Sequence, residues 1–177
     1  MSNLVFITTS LDGFIARKNG GIDWLNDIPN SENSDFGFNE FMKRIDAIVL
    51  GRNTFDLVLT FNYYPYIKQV FVLSSTLKSI PERLKSKVEI LTGEPNKIVE
   101  LLINRGYKNL YIDGGKTIQG FLRQELLDKI IITRIPILLG SSILLFNNLT
   151  NEQKFEHIET VVFNNALVRS HYKKLLK

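Results

Sequence analysis

The sequence contains no cysteine, two histidines and a single tryptophan among its 177 residues. Without cysteine there are no disulfides, no zinc ribbon and no thiol nucleophile. His157 and His171 stand in no ligand-like spacing, so neither a metal site nor a Ser-His-Asp triad has the residues it needs. Both read as surface or edge residues. No apolar run approaches the length that spans a bilayer, and Met1-Ser-Asn-Leu-Val5 lacks the basic region of a signal peptide. The expectation is a cytoplasmic protein with no membrane contact. Linkers, repeats and low-complexity segments are also missing, and the length suits one domain with a real core.

What is present is ordinary in amount and uneven in placement. Hydrophobic residues make up 44% and charged residues 23%, which excludes a disordered chain or a fibre. The net charge of +4 hides an asymmetry: residues 1–60 hold eight acidic and five basic side chains, −3 in sum, leaving +7 for the remainder. A basic second half raises the question of nucleic acid. Its lysines are scattered, however, with no aromatic-basic stripe or groove-reading motif. A small phosphorylated ligand accounts for the bias equally well, and no nucleic-acid partner is expected.

The pattern along the chain alternates strand and helix. Asn3–Thr9 reads as a central strand, followed by a turn-rich loop through Gly20-Gly21 to Trp24 and Leu25. Pro29–Ser34 is polar and turn-like, and a helix is predicted over 36–45 with Ser34 or Asp35 as its N-cap. Strands are predicted at Ala47–Leu50, Gln69–Leu73, Val88–Leu91 (an edge strand), Leu110–Ile112 and Asp128–Pro136. A helix begins at Pro95 and ends at Gly106. Ile158–Phe163 and Ala166–Tyr172 flank Asn164-Asn165, a hairpin signature with a two-residue turn. The architecture expected is α/β: a mostly parallel mixed sheet flanked by helices and closed by a C-terminal antiparallel hairpin.

Three strand ends carry chemistry. After Leu110–Ile112, Asp113-Gly114-Gly115 breaks the strand, and Ile118, Phe121 and Leu122 recur at helical spacing. Strand, glycine pair, helix places free N–H groups and the positive end of a helix dipole at a sheet edge, which suits a phosphate. The same stretch also reads as a tight turn with no ligand. Gly51-Arg52-Asn53-Thr54 repeats the junction with a guanidinium, which binds phosphate bidentately, and a hydroxyl. Ser74-Ser75-Thr76 ends a third strand, either as an anion site or as the cap of a turn. Asp12 and Asp113 each adjoin a glycine at ends facing the same edge, where one can orient a substrate and the other relay a proton. Asp12 equally reads as shaping a turn, Asp113 as capping a helix, and Trp24 as pinning its loop onto the core.

In order, Ser10–Ala16, Asp23-Trp24-Leu25, Gly51–Thr54, Leu73-Ser-Ser75, Asp113-Gly-Gly115 and Pro136–Gly140 resemble the dihydrofolate-reductase-like superfamily. The resemblance is strongest to the reductase domain of riboflavin-biosynthesis proteins and its stand-alone bacterial relatives, and it covers essentially the whole chain. It implies NADPH as cofactor, a small heterocyclic substrate (pyrimidine-like or pterin-like) and a homodimer. It also implies that Gly51, Arg52, Thr54, Ser74 and Ser75 clasp the adenosine 2′-phosphate and pyrophosphate. Gly114, Gly115, Lys116 and Thr117 would lead a helix onto the pyrophosphate, often with a cis peptide between the glycines. Asp12, Gly13 and Ile15 would lie beside nicotinamide and substrate. Trp24, Asp35 and Glu40 are further substrate-side candidates. The last two carry the carboxylate that a true dihydrofolate reductase places on the helix before its second strand, though neither matches that register. Three departures stand out: Asp113 replaces the usual Glu, Gly140-Ser-Ser142 replaces Gly-x-Gly, and these 177 residues hold no cysteine to ligate the zinc of the deaminase domain that riboflavin-biosynthesis proteins carry, so none is expected in them.

Overall fold

The computed structural model describes residues 2–26, 34–147, 149, 151–163 and 166–175. Strands β1 (Ser2–Ser10) and β2 (Phe14–Ala16) precede helix α1 (Phe38–Lys43), after which β3 (Ala47–Gly51) leads into α2 (Arg52–Val58). Strands β4 (Gln69–Leu73) and β5 (Val88–Leu91) are followed by α3 (Pro95–Asn104), β6 (Asn109–Asp113) and α4 (Gly115–Arg123). The chain closes with β7 (Lys129–Ile135), β8 (Ile143–Leu144), β9 (Phe155–Phe163) and β10 (Leu167–Lys174).

Eight strands form one sheet in the order β5-β4-β3-β6-β1-β7-β10-β9. All neighbours from β5 to β7 run parallel, and β10 is antiparallel to both β7 and β9. The expected mixed sheet with a terminal hairpin is therefore the observed one, with β5 at one edge and β9 at the other. The proposed turn at Asn164-Asn165 and most of Pro29–Ser34 lie outside the described residues. The turn-rich first loop holds an element the sequence did not announce: β2 pairs with β8 in a separate two-stranded sheet.

Central strands are buried on both faces because helices cover both. Val49, Phe71, Leu110 and Ile112 pack with Ile98 and Leu102 of α3 and with Ile118 and Phe121 of α4. On the opposite face Leu4, Ile48, Leu50, Val72 and Tyr111 pack with Phe41 of α1 and Phe55 of α2. Each such side chain contributes about 1.5–3 kcal/mol through burial. The helix predicted over 36–45 begins later, at Phe38. Asp35 accepts the N–H groups of Gly37 (2.9 Å) and Asn39 (2.7 Å), and Gly37 takes φ 84°, so the chain turns before it winds. Among the described residues no helix is long and apolar enough to cross a membrane.

Candidate active site

Parallel pairing with matched register sets the site. Gly51 of β3 lies opposite Leu73 of β4, and Leu50 lies opposite Asp113 of β6. Three strands thus end level, and Arg52, Ser74 and Gly114 leave the sheet side by side. A cleft of about 940 Å³ runs along this rim.

The two glycine junctions interlock. A Cβ on Gly114, which holds φ +87°, would strike the Thr54 hydroxyl, and one on Gly51 would stand 2.8 Å from Thr117 Oγ1. One on Gly115 would stand 2.5 Å from Ile15 Cδ1. Glycine is needed here because each junction carries a threonine that fills its neighbour's missing side chain. The starts of α2 and α4 are thereby drawn together, and no residue in the described chain has a cis peptide, the Gly114–Gly115 bond included. The first N–H groups of α4 have no partner within the helix.

Cationic groups flank this pair of helix starts. Arg52 donates to Asp56 (3.2 Å) and Thr76 (3.0 Å), which hold its half-exposed guanidinium at the cleft. Lys116 is exposed on the first turn of α4 and lines the same wall. Ser74 Oγ accepts the N–H groups of Thr76 (3.1 Å) and Leu77 (2.9 Å), so its side chain shapes the turn, as the sequence's second reading had it. Ser75 is exposed at the cleft. Glycines that let two helix starts converge, a guanidinium, an ammonium and hydroxyls form a donor set that fits the pyrophosphate and 2′-phosphate of NADPH.

Asp113 sits deeper, half-buried. Its Oδ1 accepts the Gly114 N–H (2.8 Å) and its Oδ2 accepts the Tyr66 hydroxyl (3.1 Å). Tyr111, two residues earlier on the same face of β6, donates to the Phe6 carbonyl (2.9 Å) beside the same carboxyl. Burial pushes the Asp113 carboxyl up, against the hydrogen bonds from Tyr66 and Gly114 that pull it down, and the nearby Tyr111 hydroxyl acts in the same lowering direction. Burial and the neighbouring carboxylate also push both phenols above their usual value. Beyond Asp113 the cleft is walled by Phe6, Phe36, Phe38 and Tyr111. Thr133, 3% exposed on its floor, has a hydroxyl with no protein partner.

Of the residues singled out in the sequence, Ile15, Asp35, Gly51, Arg52, Thr54, Ser74, Ser75, Asp113, Gly114, Gly115, Lys116 and Thr117 line this cleft. Gly13 does not line it, and three other candidates are held elsewhere. Asp12 bonds to the Ser10 hydroxyl (2.6 Å) and to the N–H groups of Gly140 (2.8 Å) and Leu139 (3.2 Å), tying the loop after β7 to the end of β1. Some burial raises its carboxyl, but the hydrogen bonds from Ser10, Gly140 and Leu139 outweigh it and leave it below the usual range. Those donors favour its ionised form. Trp24 is buried against Ile135 and Leu167, pinning its loop to the core. Glu40 is solvated, paired with Lys43 (2.9 Å) and Arg44 (3.9 Å) on the outside of α1. Asp35 reaches the cleft, but both its oxygens accept N–H groups at the start of α1.

Sequence reasoning passed over Tyr66, Tyr111 and Thr133. Tyr111 was within reach, since it shares a strand face with Asp113. Tyr66 was not, because it lies in an irregular segment and meets a partner 47 residues away.

Comparison with known proteins agrees with this geometry. Residues 4–168 match the family model of the RibD C-terminal domain. Protein YwjB of Bacillus subtilis (strain 168), itself uncharacterised, is 33% identical over 172 residues, covering 96% of this chain and 95% of its own. A crystal structure from Shewanella sp. PV-4, carrying a provisional riboflavin-biosynthesis name, superposes with a TM-score of 0.95 at 45% identity, covering 99% of this chain and 100% of that one. Dihydrofolate reductase from Enterococcus faecalis, solved with NADP(H), shares the fold at a TM-score of 0.68 and 18% identity, covering 98% and 96%. The chain belongs to the RibD C-terminal domain family, a reductase-like family built on the dihydrofolate-reductase fold.

Proposed function

We propose that this chain is a cytoplasmic, NADPH-dependent reductase that transfers a hydride to a small heterocycle, pyrimidine-like or pterin-like. The observation that carries the reading is the level ending of β3, β4 and β6, which sets Arg52, Ser75, Lys116 and two helix starts along one cleft. When bound, NADPH supplies the hydride from its dihydronicotinamide. The protein's part is positioning and proton supply. Arg52 and Lys116 hold the phosphates, and the interlocked glycine junctions let the backbone approach them. Phe36, Phe38 and Tyr111 exclude water from the far end of the cleft and stack a flat ring. Thr133 offers that ring an unpartnered hydroxyl. Asp113, raised by burial, keeps a proton longer than an exposed carboxyl and serves as its donor. The homodimer that the resemblance implies belongs to this proposal, and a sedimentation coefficient fixed at that of a 20.3 kDa monomer would remove it.

Classical folate reduction is less favoured, since Glu40 points to solvent and Asp35 is occupied by the start of α1. A non-catalytic NADP-binding module would bind cofactor without consuming it across a panel of pyrimidines and pterins. Binding is read from Trp24, whose emission should fall through energy transfer when NADPH is added, and fall far less with NADH. No spectral change, with calorimetry also silent, would end the cofactor claim. Exchanging Arg52 for Ala should weaken NADPH by about tenfold or more, and NADH much less, because the 2′-phosphate is the added charge. Equal losses would give Arg52 another role.

A further inference from the structure

The loop between α2 and β4 places a phenol against Asp113 that the reading above leaves unassigned. Tyr66 is 7% exposed, lines the cleft, and donates to Asp113 Oδ2 at 3.1 Å. Tyr64 packs edge-on against it with ring centroids 5.6 Å apart. The other oxygen of Asp113 faces a fixed donor, the Gly114 N–H at 2.8 Å. A proton taken up by this carboxyl therefore settles on Oδ2, where the facing group can change its role. A hydroxyl both donates and accepts, whereas a backbone N–H only donates. The Tyr111 hydroxyl does not compete, since its hydrogen is committed to the Phe6 carbonyl at 2.9 Å.

We propose that Tyr66 is the relay through which the proton of Asp113 reaches the cleft. With Asp113 ionised, the Tyr66 O–H points at Oδ2. With Asp113 protonated, Oδ2–H donates to the phenol oxygen, and the phenol hydrogen turns toward the ring held in the cleft. The proposal rests on the reductase reading for its hydride. Once hydride from a dihydronicotinamide has reduced a C=N carbon, the substrate nitrogen takes the proton of Tyr66. That O–H bond breaks as Asp113 Oδ2–H passes its own proton to the phenol oxygen. The products are the reduced substrate, the nicotinamide cation, an intact phenol and an Asp113 carboxylate, which water reprotonates. Charged groups elsewhere on the cleft are Arg52 on α2, Lys116 on α4 and Asp35 ahead of α1, and none of them is hydrogen-bonded to Asp113.

The test is Tyr66→Phe, which keeps the ring and removes the hydroxyl, with Asp113→Asn beside it. Carboxyl-carbon NMR of the full ligand-free chain follows the titration of Asp113, with Asp113→Asn assigning the signal. Because the Tyr66 bond stabilises the carboxylate, its loss should move the midpoint to higher pH. In turnover, kcat should fall by about 10²-fold with KM nearly unchanged, and the pH limb present in the parent should move with the NMR midpoint. NADPH binding, read from Trp24, should be retained. A midpoint in Tyr66→Phe identical to that of the parent, or an unmoved kcat, overturns the relay. A parent that binds no NADPH, while Tyr66→Phe still moves the midpoint, overturns the reductase reading and the relay's catalytic role, and leaves Tyr66 as Asp113's partner.

Discussion

Two carboxyls that looked alike in the sequence, each beside a glycine at a strand end, are opposites in the fold. Asp12 is surrounded by donors and kept ionised, whereas Asp113 is desolvated and drawn toward its neutral form. The difference has a sign that stability measurements can read. The native state holds the Asp113 proton more tightly than the unfolded chain does. Between the ordinary value of 3.8 and the raised native one, the native state therefore binds more protons, and stability falls as pH rises. Asp113→Asn removes that loss, so its Tm should exceed the parent's at pH 7, and the gap should close as pH drops toward 3.8. A gap that widened on acidification would mean the carboxylate is stabilising after all. Neither burial nor donor count is visible in a single Asp-Gly step, which is why the sequence left both residues open to the same two roles.

At the scale of elements, the instructive unit is the pair of strand–glycine–helix junctions. Both were legible, because a β-branched run, a glycine and a helical period are all local signals. Their interlocking was not, since Gly114 meets Thr54 and Gly51 meets Thr117 across the gap between neighbouring strands. Gly114→Ala adds a left-handed backbone penalty to a clash with the Thr54 hydroxyl, and should cost about 2–4 kcal/mol in urea unfolding. Made in a Thr54→Ala background, the same change should cost only the backbone part, about 1–2 kcal/mol. Equal costs in both backgrounds would show that the threonine is not what fills the space. The same limit explains β2 and β8: three residues and two residues carry no period of their own, and only their mutual pairing makes them strands.

Across the whole molecule, the parallel half of the sheet supplies the rim proposed to hold phosphates and the antiparallel end supports the far wall. The parallel run from β5 to β7 was foreshadowed by alternating strand and helix signals, though not its strand order. The tie between the hairpin and the start of α1 was not, being a single arginine reaching over more than a hundred residues. Arg169 of β10 donates to the Phe36 carbonyl at 2.6 Å, lies 5.2 Å from the centre of the Phe163 ring, and occupies the space where Gly37 lacks a side chain. Arg169→Ala should lower stability by about 1.5–3 kcal/mol, since it strands a part-buried carbonyl. It should also speed amide exchange at Phe36 and Gly37 more than at Gly114. Uniform acceleration would place the effect in global unfolding instead.

That tie also sets an order of assembly. Leu167 and the Arg169-anchored Phe36 both face the cleft, yet both depend on β10, which leaves the ribosome after β7. A nascent chain emerging only as far as β7 would already carry the glycine junctions, Phe38 and Tyr111, but would lack Leu167 and the arginine that anchors Phe36. On the reading proposed above, the grip for the reductant would then be complete before the wall that faces the substrate.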